Sequence, residues 1–167
     1  VTLQKAGHKV LILDGDFGLA NLNIIMGLDA KNTIFDVLSG TNSMSDVVVE
    51  AAHGRKVIPA ASGIFKMTQL SNTEKSIMMD SLEASNIDFD ILLIDTGAGI
   101  GSDVVYLNSS AHEVIVVSTP EPTSMADAYA LMKVLNQDFK IKRFKLIVNM
   151  VQGPREAMAV YNHLVNV

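Results

Sequence analysis

The 167-residue sequence contains no cysteine and no tryptophan, and only 5% of its residues are aromatic. Without cysteine, neither a disulfide framework nor a thiolate metal site can form, and this absence is compatible with a reducing cytoplasm. Charged residues make up only 19% of the chain and hydrophobic residues 49%. This balance excludes a disordered tail and fits a sheet that is covered on both faces. We therefore expect a folded, cytoplasmic protein.

Positive charge and long apolar runs are also scarce. Thirteen lysines and arginines face 18 aspartates and glutamates, which leaves a net charge of -5. An acidic chain of this kind is a poor candidate for a broad nucleic-acid surface, so no direct nucleic-acid binding is predicted. No apolar run reaches the length of a membrane-spanning helix. The length suits one buried core, which predicts a single domain over residues 1–167.

Four short apolar runs in the sequence are each followed by a small or acidic polar cluster. Interior strands of a parallel sheet are apolar on both faces, so each run is predicted to be a strand. The runs alternate with predicted helices, which indicates a doubly wound α/β fold with a mainly parallel sheet and helices on both faces. The predicted strands lie at 10–13, 90–94, 113–117 and 144–148, and the later helices at 101–109, 123–135 and 154–167.

The two ends of the sequence and the segments between the first two predicted strands carry weaker signals. The sequence begins in the end of a helix that Gly7 closes, and the last helix is still running at residue 167, so we expect a longer parent protein. Residues 22–28 are predicted to be a loop. Three consecutive valines weaken the helix predicted at 44–52. The other predictions are a short capped helix at 33–38, a strand at 56–59 and a helix that Thr73 caps and that ends at about 85.

Two aspartates follow the first predicted strand. Asp14 and Asp16 lie two residues apart where the strand becomes a loop, so their side chains can point into one pocket. Ligands of open parallel sheets bind outside the carboxyl ends of the strands. The pair is therefore a candidate for orienting a water molecule, holding a divalent cation through its hydration shell or sensing a phosphate. The alternative is a loop in which both carboxylates are solvated or cap the next helix.

An acid and a glycine-rich turn follow the second predicted strand. Asp95 comes directly after the apolar run, as in a Walker B arrangement, in which the carboxylate meets magnesium directly or through water. Gly97, Ala98 and Gly99 come next, and glycine lets backbone N–H groups approach a terminal phosphate closely. A tight turn explains the glycines but not the acid before them. The pattern therefore favours a metal and phosphate site.

Asn149 follows the last predicted strand. Its side-chain amide offers donors and an acceptor, which together can match the edge of a nucleotide base. The same amide can instead hydrogen-bond within a turn. The residue itself leaves both interpretations open.

Three ordered segments resemble the MinD/ParA family of deviant-Walker ATPases, and within it most of all the flagellar-number regulators of the FlhG/FleN group. The segments are LILDGDFGLANLNIIMGL, ILLIDTGAGIG and VIVVSTPEPTSMADAYALMKVL, and the similarity runs from about residue 7 to residue 152. It implies a P-loop NTPase-like fold that uses ATP and Mg²⁺. Ala20 and Gly97 stand where the cell-division branch often has arginine and proline, which fits the flagellar branch better.

The resemblance also implies roles by position. Asp16 corresponds to the switch I acid that positions the attacking water, and Asp14 to its neighbour near the metal and the phosphate. Asp95 corresponds to the Walker B acid that holds the metal, and residues 97–99 to switch II near the γ-phosphate. Asn149 corresponds to the asparagine that contacts adenine.

What the resemblance implies about assembly is more specific than the residues alone allow. Such proteins form homodimers when ATP is bound, and partners recognise the state of the dimer. In the flagellar branch the implied partners are a signal-recognition-type GTPase, flagellar switch proteins and a transcriptional activator of flagellar genes. The family also reaches the inner face of the cell membrane through a basic amphipathic helix, which this sequence does not contain.

One expected motif is missing from residues 1–167. No phosphate-binding loop of the form G-x-x-x-x-G-K-[ST] occurs, so we expect these residues to be inactive by themselves and the longer parent to be an ATPase. The alternatives are a non-catalytic partner-binding module of the same fold and a positioning ATPase for another cargo, such as the division site, a plasmid or a chromosome. A phosphoaccepting receiver domain fits less well, because it expects an acid much closer to the aspartate pair than Asp95 and a lysine at position 149.

Overall fold

The computed structural model describes residues 1–61 and 63–165. They form two compact units, Val1–Gly97 and Ala98–Val167. The single domain predicted over residues 1–167 stays a prediction.

The first unit contains a four-stranded sheet with the strand order β2-β3-β1-β4. Strand β1 pairs in parallel with β3 and β4, whereas β2 pairs antiparallel with β3. The elements of this unit are α1 (Thr2–Lys5), β1 (Val10–Gly15), α2 (Leu22–Ile25), α3 (Ile34–Leu38), β2 (Val49–Ala51), β3 (Arg55–Ile58), α4 (Asn72–Glu83) and β4 (Ile91–Thr96), with 3-10 helices at Ala52–Gly54 and Phe65–Gln69.

Strand β1 lies between two parallel neighbours, and this position explains its composition. Leu11 and Leu13 are fully buried, as are Val57 and Ile58 of β3. A parallel strand inside a sheet has no solvent-facing side, so nearly every position must be apolar. The strands predicted at 10–13, 56–59 and 90–94 are confirmed as β1, β3 and β4.

Two helices of the first unit begin with reciprocal caps. Thr33 caps α3 as predicted, and the carboxylate of Asp36 accepts a hydrogen bond from the Thr33 N–H at 2.7 Å. The cap of α4 is Ser71, not Thr73: the Ser71 hydroxyl accepts from the Glu74 N–H, and the Glu74 carboxylate accepts from the Ser71 N–H at 2.9 Å. The hydrogen bonds that the Glu74 carboxylate accepts from the Ser71 N–H, the Ser71 hydroxyl and Lys66 lower the pKa of Glu74 to about 2. Ser71 is the cap because Glu74 lies three residues after it, at the third helical position, from which its carboxylate can accept a hydrogen bond from the N–H of the cap residue.

Two other predictions in this unit are wrong. The helix predicted at 44–52 does not form: residues 44–47 are a turn, and residues 49–51 form β2, in which Val49 lies opposite Val57 of β3. β-branched residues favour strands, and an available sheet edge decides between the two structures. The loop predicted at 22–28 contains the short helix α2, although Asn21 before it makes no side-chain cap.

The second unit contains a two-stranded parallel sheet and three helices. Ile115 lies opposite Lys145, and Ser118 lies opposite Val148. The elements are α5 (Ser102–Ser110), β5 (Ile115–Ser118), α6 (Pro122–Phe139), β6 (Lys145–Val148) and α7 (Pro154–Val165). The buried core of the unit consists of Val114, Val116, Ala128, Leu135, Val160 and Leu164.

The predicted elements of the second unit are confirmed, with one adjustment. Helix α6 is four residues longer at its end than predicted and stops at Phe139, because Lys140 adopts a left-handed conformation with φ 61°. The last two residues of the helix predicted at 154–167 lie outside the described residues. Across both units the α/β class and the mainly parallel sheet are confirmed. Within the described residues, no helix has both the length and the apolar character needed to cross a membrane.

Candidate functional site

The candidate site of the first unit lies at the carboxyl ends of β1 and β4. Asp14 of β1 is paired in register with Asp95 of β4, and Gly15 with Thr96. Adjacent strands are about 4.8 Å apart, so the two acids stand side by side at the same edge of the sheet. This is the edge at which open parallel sheets bind ligands.

Asp14 is the buried member of the group. Its side chain is only 2% exposed. The Oδ1 atom accepts a hydrogen bond from the Asp16 N–H at 3.3 Å, and Oδ2 accepts one from the Leu22 N–H at 3.2 Å. Burial raises the pKa of the Asp14 carboxyl; the two backbone hydrogen bonds oppose this shift, and the charges of Asp95 and Asp16 add to it.

Asp16 is only partly buried and is held in a different way. Its Oδ1 accepts a hydrogen bond from the Leu19 N–H at 3.0 Å. Gly97 lies against the carboxylate: a Cβ atom at this position would stand 3.3 Å from the Asp16 Cγ and 3.4 Å from both carboxylate oxygens. The carboxylate therefore fills the space that a larger residue at position 97 would need.

Asp95 is exposed, and it lies near the carboxyl end of β4, which is the outermost strand of this sheet. Its carboxylate is thus the most accessible of the three. The described residues contain no group of three or more His, Cys, Asp or Glu side chains arranged to hold a metal by themselves. Mg²⁺ does not require such a group, because it keeps several waters and is held by one or two carboxylates together with phosphates. The oxygen donors of this edge fit Mg²⁺ in that manner.

The remaining predicted site residues belong to the second unit. Ala98 and Gly99 open it, and Gly99 has a φ of +84°, a conformation that favours glycine. Asn149 directly follows β6 and is exposed, while its backbone N–H donates to the Ser118 carbonyl at 2.8 Å. The side chain of Asn149 is therefore presented to solvent at the carboxyl end of a parallel strand.

Sequence reasoning missed two features of the first unit. It did not identify the backbone N–H groups of Leu19 and Leu22 as partners of the two aspartates, since no local pattern marks a loop amide as a donor to an acid several residues away. It also interpreted Gly97 only as a means for backbone to approach a phosphate. In the structure, the carboxylate of Asp16 lies in the space next to Gly97 that a side chain at this position would need.

Comparison with known sequences places the chain in an established group. A family model described as an AAA domain matches residues 1–147. The antiactivator FleN of Pseudomonas aeruginosa is 38% identical over 167 residues, which is 100% of this chain and 60% of FleN. The flagellum site-determining protein YlxH of Helicobacter pylori is 35% identical over 166 residues, 99% of this chain and 56% of YlxH. The chain therefore spans less than two thirds of the length of these relatives.

Solved structures agree with the fold. MinD in the MinC:MinD cell division protein complex of Aquifex aeolicus is similar with a TM-score of 0.77 and 25% identity, over 99% of this chain and 67% of that one. The septum site-determining protein MinD of Pyrococcus horikoshii, solved with Mg-ADP, is similar with a TM-score of 0.72 and 25% identity, over 95% of this chain and 67% of that one.

Proposed function

Because the chain belongs to the MinD/ParA family of ATPases and is related to its FlhG/FleN group, we propose that the full-length protein is an ATP-hydrolysing switch that regulates the number or placement of flagella. The observation that carries the proposal is the partly buried Asp16 carboxylate, held between the Leu19 amide and Gly97 beside the Asp14–Asp95 pair. The flagellar names of two relatives support the choice of cargo.

In this proposal the two accessible acids have separate tasks. Asp16 accepts a hydrogen bond from the attacking water and orients it, which requires a carboxylate that is fixed but not fully enclosed. Asp95 holds Mg²⁺, directly or through water. When bound, Mg²⁺ neutralises the charge that develops on the phosphate oxygens. Gly97, Ala98 and Gly99 present backbone N–H groups toward the terminal phosphate.

Residues 1–167 contain no P-loop motif. We therefore assign the binding of the remaining phosphates of ATP to parts of the full-length protein outside residues 1–167. We expect Mg²⁺-dependent ATP hydrolysis by the full-length protein and none above background by the 167-residue chain. A phosphate-release assay on both proteins tests this. If the full-length protein fails to bind ATP in calorimetry, the non-catalytic partner-binding module becomes the better interpretation.

The remaining features of the switch are proposed from the family. The full-length protein dimerises with ATP bound, and a signal-recognition-type GTPase, flagellar switch proteins or a flagellar transcriptional activator recognise the dimer. It is cytoplasmic and reaches the inner face of the cell membrane through a segment outside residues 1–167. The complex of MinC with MinD is an example of partner binding in a structural relative.

Replacing Gly97 by alanine is expected to lower ATP turnover by the full-length protein about tenfold and to leave its fold intact. The added methyl group would stand 3.3 Å from the Asp16 Cγ, so the carboxylate must shift by a few tenths of an ångström, and small misplacements of catalytic groups are costly. Steady-state turnover checks this. Gly153→Ala is the control, since a Cβ there meets no atom within 4 Å. Equal turnover of the Gly97 and Gly153 variants would contradict the prediction.

Asn149→Ala is expected to weaken ATP binding by the full-length protein by about 1–2 kcal/mol, as for the loss of one or two hydrogen bonds to the adenine edge. The Asn149 side chain is exposed, and the hydrogen bond from its backbone N–H to the Ser118 carbonyl does not involve that side chain. Alanine at this position therefore preserves the backbone bond. Titration calorimetry with ATP and GTP measures the effect. Affinity for ATP should fall toward that for GTP, whereas unchanged ATP affinity would return Asn149 to a role in the turn.

A further inference from the structure

Asp14 is the one carboxylate of the candidate site that is almost completely enclosed. It is 2% exposed, while Asp16 is partly buried and Asp95 is exposed. An enclosed carboxylate is costly unless its oxygens receive hydrogen bonds. Both oxygens of Asp14 do, and both donors are backbone N–H groups of the segment that follows β1.

The two donors lie at opposite ends of that segment. The Asp16 N–H binds Oδ1 at 3.3 Å, and the Leu22 N–H, eight residues after Asp14, binds Oδ2 at 3.2 Å. Leu22 is the first residue of α2, and Asn21 before it makes no side-chain cap. The first amides of a helix have no partner within the helix, so Asp14 supplies an acceptor that the local sequence does not.

The segment that follows β1 also fixes the side chain of Asp16. The Asp16 carboxylate accepts from the Leu19 N–H, and Leu19 lies between the two amides that Asp14 binds. The position of the Asp16 carboxylate thus depends on the path of residues 16–22, and that path is anchored at both ends on one buried side chain.

We propose that Asp14 is a positioning residue: its carboxylate fixes the loop of residues 16–22 and thereby the water-orienting Asp16, and it does not hold the metal. This inference rests on the proposed ATPase function. Its physical basis is that the oxygens of Asp14 are already engaged by two backbone donors and that its side chain has almost no contact with solvent. A Mg²⁺ ligand needs an accessible oxygen, which Asp95 offers.

The test compares Asp14→Asn with Asp46→Asn in the full-length protein. Asparagine keeps the size of the side chain and one acceptor oxygen, so the fold is retained, but it presents an NH₂ group to one of the two amides. Asp46 is the control for an exposed aspartate, because its carboxylate also accepts bonds within a loop, from the Ser43 N–H at 2.9 Å and the Ser43 hydroxyl at 2.6 Å. Amide hydrogen exchange of residues 15–25 is measured without nucleotide, and ATP turnover is measured against Mg²⁺ concentration.

With Asp14→Asn, we expect the Asp16 or the Leu22 amide, whichever faces the NH₂ group, to exchange roughly tenfold faster, as for the loss of a bond to a charged acceptor. We also expect kcat to fall about tenfold, with KM for ATP and the half-saturating Mg²⁺ concentration within about twofold of the parent. Asp46→Asn should change none of these. Unchanged exchange at both the Asp16 and the Leu22 amides, or a large increase in the Mg²⁺ requirement, overturns the proposal. If the full-length parent does not hydrolyse ATP, the proposed function fails, and the exchange rates by themselves decide whether Asp14 anchors the loop.

Discussion

Asp16→Ala is expected to leave ATP affinity of the full-length protein within about twofold of the parent and to lower turnover roughly a hundredfold. A group that orients the nucleophile acts in the transition state and contributes about 10²–10⁴ to the rate. Asp16 is suited to this task because its carboxylate is fixed by the Leu19 N–H and bordered by Gly97, yet remains partly accessible. Calorimetry gives the affinity and phosphate release gives the rate.

The same substitution should trap the ATP-bound state. If hydrolysis resets the dimer, a variant that binds ATP without hydrolysing it should elute as a dimer in size-exclusion chromatography with ATP and as a monomer without it. Asp138→Ala, at an exposed aspartate of α6, is the control and should behave as the parent does. Loss of nucleotide binding by Asp16→Ala, or turnover at the parent's rate, would show that Asp16 does not have the assigned role.

Asp95→Ala is expected to lower affinity for Mg-ATP and turnover together, each by at least about tenfold. A residue that holds the metal acts in both the ground state and the transition state, so its loss cannot be confined to kcat. Asp95 is the exposed acid at the end of β4, beside Asp14 in register. Calorimetry with ATP in the presence and absence of Mg²⁺ isolates the contribution of the metal.

The effect of Asp95→Ala should disappear when Mg²⁺ is removed, because parent and variant then bind ATP through the same remaining contacts. Asp138→Ala again provides the reference for a lost surface carboxylate. The assignment of the metal to Asp95 would be wrong if the variant needs no more Mg²⁺ than the parent, or if its difference in ATP affinity persists without the metal. The two substitutions therefore distinguish the water-orienting acid from the metal-holding acid.

Much of the fold follows from short-range patterns in the sequence. The apolar runs that became β1, β4, β5 and β6 were predictable as strands, because short apolar runs bounded by turn residues are typical of the strands of a parallel sheet. Helix α3 was predictable for the same reason that it is stable: Thr33 and Asp36 satisfy each other's backbone amides within four residues. In such cases the residues that specify the element and the residues that form it lie in the same short segment.

The segments that were predicted wrongly depend on partners outside the segments themselves. Residues 49–51 became a strand because the edge of β3 was available to pair with them, and no local feature of three residues specifies such a partner. Helix α2 receives its first-turn acceptor from Asp14, which belongs to the preceding strand. Neither outcome is contained in the propensity of the residues concerned.

The sequence by itself determined which residue types gather at the carboxyl edge of the sheet: three aspartates and a glycine-rich turn after two apolar strands. The residue pattern alone treats Asp14 and Asp16 as an equivalent pair, and the family resemblance assigns them different roles without a physical reason. The tertiary structure supplies that reason, because Asp14 lies within β1 between two neighbouring strands, where its oxygens are bound by the backbone, whereas Asp16 lies beyond the strand with its carboxylate against Gly97. Burial depends on what packs around a residue, and two acids two positions apart can therefore have different chemistry.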